Sequence, residues 1–315
     1  MINKWKVDWA GHYCALVTPF TDKGELDEIA LAQLVDLVIE EGLDGVVVSG
    51  HQGEFWLLSP EERRRVFDVA VKAARGRAVV IAGTTDASAR QVIAHTRSAQ
   101  EVGADGVMVL PPLHAKPGTV TDRDLVAHFE RISSEGGMPV LVYNIPNWSD
   151  GINLTNLLPR LADIKNIVAV KQSSDRLDDL SQALHTVGDR LRVFSGLVAF
   201  RCVAAAAMGA VGVVGSAEVN VMGKEAVKLW RLSAAGNLEE ARRIQSRAYT
   251  LVKGLQNFSL VGNSVASVKS AMRLCGRPGG YTRDPFLLPT PEQEQHIRKL
   301  LETLGLLPEL PGVDG

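Results

Sequence analysis

No apolar run among the 315 residues approaches the ~20 that a bilayer-spanning helix needs, which speaks against a membrane span. The opening Met1-Ile-Asn-Lys-Trp-Lys-Val-Asp8 has no signal-peptide apolar stretch. Charge of one sign is also missing. Lys and Arg number 34 against 36 Asp and Glu, for a formal net charge of -2 with no basic tract, so nothing attracts nucleic acid or an anionic membrane. Cysteine is scarce: Cys14, Cys202 and Cys275 are odd in number and lack metal-ligand spacing, which excludes a disulfide framework and suits buried, reduced thiols in a cytoplasm. There is no low-complexity segment. What is present is ordinary for a protein with a large core, 46% hydrophobic and 22% charged.

The chain alternates apolar, β-branched runs with amphipathic stretches. The strand-like runs are His12 to Phe20, Gly45 to Gly50, Ala78 to Gly83, Gly106 to Pro112, Pro139 to Pro146, Ile167 to Lys171, Leu191 to Gly196 and Ala210 to Ser216. Helical spacing covers Leu26 to Glu41, and Ser59-Pro-Glu-Glu62 has the cap serine, first-turn proline and glutamate of a helix start. Buried strands separated by helices, recurring roughly every 20 to 35 residues, imply a parallel sheet with right-handed crossovers. Their number fits a closed (β/α)8 barrel, and the alternative open sheet lacks its glycine-rich phosphate turn, since Thr18-Pro19-Phe20 follows the first strand. After the eighth run the pattern is helical over Gly223 to Ala235, Leu238 to Leu255, Ser264 to Leu274 and Pro291 to Leu304. The expectation is a barrel over residues 1–222 and a helical region packed on it over 223–315.

Chemistry in such a barrel sits at the C-terminal ends of the strands. Those ends offer Thr18, Ser49 to Glu54, Pro111 to His114, Tyr143 to Pro146, Lys171 and Ser195-Gly196. Lys171 closes the apolar run Ile167-Val-Ala-Val. Buried lysines are rare, because desolvating an ammonium is costly, and at such a position desolvation favours the neutral amine that attacks a carbonyl. Taken alone, Ile167 to Ser174 favours the plainer reading, a lysine that reaches solvent or pairs with a carboxylate. Tyr143 ends the neighbouring strand, about 5 Å away laterally. An amine beside a phenol suits imine chemistry: one attacks a keto group while the other carries protons. Gly50-His-Gln-Gly53 is a turn whose N–H groups can converge on a carboxylate.

These segments together resemble the dihydrodipicolinate synthase / N-acetylneuraminate lyase family of Schiff-base lyases, from about Tyr13 to the end of the chain. The resemblance is carried by Val17-Thr-Pro-Phe20, Gly50-X-X-Gly-Glu54, Tyr143-Asn-Ile-Pro146, Val170-Lys171, Ser195-Gly196 and Leu274-Cys-Gly-Arg-Pro278. It implies a (β/α)8 barrel with a C-terminal helical extension, commonly a homotetramer built as a dimer of dimers. It further implies a pyruvyl imine on Lys171, proton transfer by Tyr143, a keto-acid carboxylate held by Gly50 to Gly53, and no cofactor or metal. Ser195, Gly196 and Val214 are counted with the pocket lining.

Departures from the better-known members bear on the substrate. Dihydrodipicolinate synthases typically carry two threonines where this chain has His51 and Gln52. Their relay tyrosine after the fourth strand is matched by His114, and their carboxylate-gripping arginine by Trp148. Both losses point away from dihydrodipicolinate synthesis. The acidic residues with which N-acetylneuraminate lyases hold a polyhydroxy tail are matched by Val198 and Ala199. With Phe55 and Trp148 close by, a short or flat, apolar distal end is expected. His51 and His114 can serve as acid–base groups, as hydrogen-bonding residues or as plain loop residues. Two histidines at strand ends also raise a metal-dependent aldolase as a rival, one that lacks acidic ligands beside them apart from Glu54. The expected activity is aldol cleavage of a 2-keto acid releasing pyruvate, or its reverse. The alternatives are a 2-keto-3-deoxy sugar-acid dehydratase on the same imine and a non-catalytic binding protein on the same scaffold.

Overall fold

The computed structural model describes residues 7–112, 119–146, 148–149, 151–258 and 264–308. Eight parallel strands close into a barrel in chain order. They are β1 (Gly11–Ala15), β2 (Gly45–Val48), β3 (Val79–Gly83), β4 (Gly106–Val109), β5 (Val140–Asn144), β6 (Ile167–Gln172), β7 (Arg192–Ser195) and β8 (Gly212–Gly215). Between them run α1 (Glu28–Glu40), α2 (Pro60–Ala74), α3 (Ala89–Glu101), α4 (Asp122–Gly136), α5 (Leu157–Ala162), α6 (Leu177–Val187) and α7 (Val198–Met208). After β8 come α8 (Ala217–Met222), α9 (Lys224–Ala234), α10 (Leu238–Phe258), α11 (Ser264–Leu274) and α12 (Pro291–Thr303). The fold is thus a TIM barrel with a C-terminal helical extension.

The strands are apolar throughout because both faces are covered. Inward-facing Tyr13, Val47, Ile81, Met108, Leu141, Tyr143, Phe194 and Val214 form one buried cluster, while Cys14, Val46, Val48, Val80, Val107, Val142, Val193 and Val213 join the larger core under the helices. At the N-terminal end of the barrel three rings fill the interior, and each needs a glycine opposite. A Cβ on Gly45 would lie 2.8 Å from the Tyr13 ring, one on Gly106 2.4 Å from Trp9, and one on Gly212 2.6 Å from Phe194. The expected start of α2 is realised: Ser59 accepts from the Glu62 N–H, Glu62 returns the bond to the Ser59 N–H, and Pro60 opens the helix.

Two boundaries differ from the sequence reading. The first strand stops at Ala15, and the chain on to Phe20 is a loop whose end bridges Leu26 and Tyr281. Pro19 has no N–H for a sheet ladder, so this stretch cannot continue as a central strand. The segment after β8, read as the end of the barrel, forms α8. No helix among the described residues is long and apolar enough to cross a membrane.

The register of β6 against β5 matters most for function. Val140 pairs with Ile167, but Leu141 pairs with Ala169, so β6 holds one extra residue, Val168. Beyond the shift, Tyr143 stands opposite Lys171 and Asn144 opposite Gln172.

Replacing Gly45 by alanine forces the Tyr13 ring to move inside a closed barrel. A destabilisation of about 2 kcal/mol is expected from such overpacking, read as a lowered urea midpoint at unchanged m-value.

Candidate active site

Lys171 is 5% exposed, and its Nζ lies 4.0 Å from the centroid of the Tyr143 ring. Among the described residues no carboxylate lies within ion-pairing distance of it, so the plainer reading of a paired strand-end lysine does not hold. Gly196 makes room for the side chain: a Cβ there would lie 1.9 Å from Ser173 Oγ and 3.3 Å from Lys171 Cε. Glu218, fully buried on α8, feels the same charge. Burial pushes its carboxyl up, and the Ser216 N–H it accepts and the Lys171 ammonium pull it back.

The turn from Ser49 to Glu54 follows β2. Ser49 and Glu54, at its two ends, both take left-handed backbone, φ 51° and 49°. Gly53 N–H donates to Gly50 O at 3.1 Å and Glu54 N–H to His51 O at 3.2 Å. The N–H groups of His51 and Gln52 have no acceptor among the described residues, and the buried Gln52 Nε2 has no partner either. Unused donors gathered in one turn suit an anion. Thr18 holds the turn from below through a 2.8 Å bond to Gly53 O, which accounts for the threonine after β1. Gly83 permits its close approach to β3, since a Cβ there would lie 2.1 Å from Ser49 O.

Glu54 is committed to an ion pair. Its carboxylate accepts from Lys269 Nζ at 2.6 Å, with both side chains fully buried, and Lys269 also donates to Tyr281 O at 3.0 Å. Burial pulls the Lys269 ammonium down, with Glu54 opposing. The metal-dependent rival loses its carboxylate ligand to this pair. Lys269 was not singled out in the sequence. Its position on α11 among Val265, Val268, Ala271 and Met272 marked it as a buried cation in need of a partner.

The loop after β5 is tied down by Asn144. Its Oδ1 accepts from the Ile152 N–H at 3.0 Å and its Nδ2 donates to Gln172 Oε1 at 2.8 Å. This explains the asparagine beside Tyr143 and fixes the loop that carries Trp148. Trp148 stacks on Trp56 with centroids 5.3 Å apart at 25°, and the His51 ring stands edge-on to Trp148 at 3.8 Å and 87°. Phe55 lies inside the barrel cluster with Tyr143, and Trp56 is the ring that meets Trp148. Burial, and secondarily the charge of Lys171, push the His51 imidazole down to about 4, so it is neutral at pH 7. Its Nε2 is buried without a partner.

The remaining expected residues are placed as follows. Ser195 is buried, and its hydroxyl donates to Gly196 O at 2.9 Å. Val214 lines the interior in the cluster that includes Tyr143. Among the cysteines, Cys14 and Cys202 are buried, but Cys275 is half-buried, unlike the fully buried thiol expected. His114 lies outside the described residues.

A model of the dihydrodipicolinate synthetase family matches residues 8–304. An uncharacterized DapA-like lyase of Rhizobium meliloti is 37% identical over 305 residues, covering 96% of this chain and 97% of that protein. The crystal structure of dihydrodipicolinate synthase from Aquifex aeolicus superposes with a TM-score of 0.86 at 33% identity, covering 96% of this chain and all of the other. YagE of E. coli K12, a family member crystallised with pyruvate, superposes with a TM-score of 0.88 at 28% identity over 95% of this chain and all of its own.

Lys269→Met takes away the buried ammonium from which Glu54 accepts, for an expected loss of about 3–5 kcal/mol. Adding Glu54→Gln to the same chain removes the charge and is expected to recover much of that loss. Urea denaturation of the single and double variants measures both. Two buried histidines also set an acid limit. His12, held by burial at about 4, and His51, also at about 4, stay neutral in the folded chain while the unfolded chain protonates near 6.5. Their stabilisation is full above pH 6.5 and is lost as pH falls towards 4, by roughly 3 kcal/mol for fully buried His12. A His12→Gln variant is expected to show a flatter fall in stability between pH 7 and 4.

Proposed function

The chain belongs to the dihydrodipicolinate synthetase family, a family of pyruvate-dependent lyases that work through a lysine Schiff base, and on that premise we propose that it cleaves the C3–C4 bond of a 4-hydroxy-2-keto acid on Lys171, releasing pyruvate, or forms that bond in reverse. The observation that carries this reading is the buried Lys171 amine, unpaired with any described carboxylate and in register with Tyr143. Lys171 Nζ adds to the C2 carbonyl and loses water to give an iminium ion. Tyr143 moves the proton that leaves with the carbinolamine oxygen. The C4 hydroxyl gives up its proton, C3–C4 breaks, and the electron pair flows into the iminium to form an enamine. Protonation at C3 and hydrolysis return pyruvate and the free amine. The keto-acid carboxylate rests against the His51 and Gln52 N–H groups and Gln52 Nε2, with Gly50 and Gly53 shaping the turn. Gly196 and Val214 line the imine pocket.

Loss of water from a 2-keto-3-deoxy sugar acid could use the same imine. Val198 and Ala199, both buried and apolar, offer nothing to a polyhydroxy tail, which supports the aldol reading over it. The unused donors of the turn support an enzyme over a scaffold that has lost its substrate. In this reading residues 1–222 hold the chemistry and 223–315 brace it through Lys269. Its setting is cytoplasmic, supported by three free thiols, and its state a homotetramer (a dimer of dimers), supported by the family likeness.

Sodium borohydride with pyruvate should add a stable mass to the wild-type chain at Lys171 and none to Lys171→Ala, which should also release no pyruvate from any 2-keto acid. Intact-protein and peptide mass spectrometry reads both. An unmodified wild type sinks the Schiff-base mechanism, and activity lost to a chelator would point to a metal instead.

A further inference from the structure

Imine chemistry at Lys171 does not require the ring cluster of His51, Trp56 and Trp148, yet the cluster stands on the two loops that flank the amine. Trp148 is 45% exposed, an expensive place for an indole unless something covers it. Its loop is anchored through Asn144, the residue after Tyr143. His51 sits in the donor-bearing turn and feels the Lys171 charge. On the side of β7 the chain continues from Gly196 into Leu197 and Val198, again apolar. The guanidinium groups that follow these strands are engaged elsewhere. Arg201 donates to the carbonyls of Gly196, Gln172 and Arg176, Arg176 pairs with Asp178 and Asp179, and Arg63 holds the Gly83 and Thr85 carbonyls. A second carboxylate or a sugar tail therefore meets no free cation or acid among these residues, whereas a flat apolar group meets a wall.

Resting on the Schiff-base reading above, we propose that the aldehyde half of the substrate is aromatic: the chain acts on a 4-aryl-4-hydroxy-2-oxobutanoate, with the aryl ring stacked on Trp148 and His51 at its edge. The stack of Trp148 on Trp56 holds the indole plane in place, and the perpendicular His51 ring closes one side. The unpartnered His51 Nε2 offers the substrate one polar contact, as donor or acceptor according to its tautomer. The reaction balances without a further reagent. C3–C4 breaks, its electron pair passes to the enamine, the C4 hydroxyl loses its proton and C4 becomes the aldehyde carbon. The proton taken up at C3 and the water that hydrolyses the imine restore the proton and the water lost earlier. The products are pyruvate and an aryl aldehyde.

The test compares pyruvate release from 4-hydroxy-4-phenyl-2-oxobutanoate and from 4-hydroxy-2-oxoglutarate, by wild type, Trp148→Ala and Trp148→Arg. Wild type is expected to favour the phenyl substrate in kcat/KM by about tenfold or more, the scale of one aromatic contact with its buried area. Trp148→Ala should cut that ratio by about tenfold, mainly through KM, and Trp148→Arg should turn it towards the dicarboxylate. Each ratio is taken within one preparation, so loss of folded protein cancels. A wild-type preference for the dicarboxylate, or a ratio unmoved in both variants, overturns the proposal. Borohydride trapping of pyruvate on wild type separates the two readings. An adduct without an aryl preference removes only the substrate class, and no adduct removes the Schiff base with it.

Discussion

Side chains along a strand alternate with a period of two, so the extra residue in β6 turns everything after it by one step. Had the Val140–Ile167 pairing continued unshifted, Tyr143 would face Val170 and Lys171 would face Asn144, on the side away from the barrel interior. With Val168 inserted, Lys171 points inward beside Tyr143, and Gln172 takes the outward place where Asn144 can reach it. One irregularity thereby places the amine, the phenol and, through Asn144, the loop that carries Trp148.

The other side of the site depends on a different constraint. The turn after β2 bends through two left-handed residues, Ser49 and Glu54, and leaves the His51 and Gln52 N–H groups without an acceptor among the described residues. Thr18 holds its carbonyl side and the Glu54–Lys269 pair holds its end, the latter reaching 215 residues along the chain into α11. A fully buried ion pair is poor economy for stability, since hydrophobic isosteres often do as well. Here it joins α11 to the end of the turn, 215 residues away in sequence.

Much of this was legible in advance because each feature was local. Buried strands read as β-branched runs, and the start of α2 as Ser59 to Glu62. Lys171 and Tyr143 could be set side by side from strand order alone. The role of Glu54 was not legible, because a glutamate in a turn after a strand reads as well for a metal ligand as for a brace, and its partner lies far along the chain. Trp56 carries no signal of its own in the sequence; the 3₁₀ turn Phe55–Leu57 puts Phe55 into the barrel cluster and Trp56 against Trp148.

Periodicity, strand order and short motifs were enough to read the barrel, the family resemblance and the adjacency of Lys171 and Tyr143 from the chain. The inward turn of Lys171, the Glu54–Lys269 pair and the meeting of His51, Trp56 and Trp148 in one cluster emerge in the folded barrel. The reason is physical. A bulge, a long-range ion pair and a ring contact between two loops are all choices among alternatives that local preference leaves nearly equal in free energy, and packing of the closed barrel selects one of each.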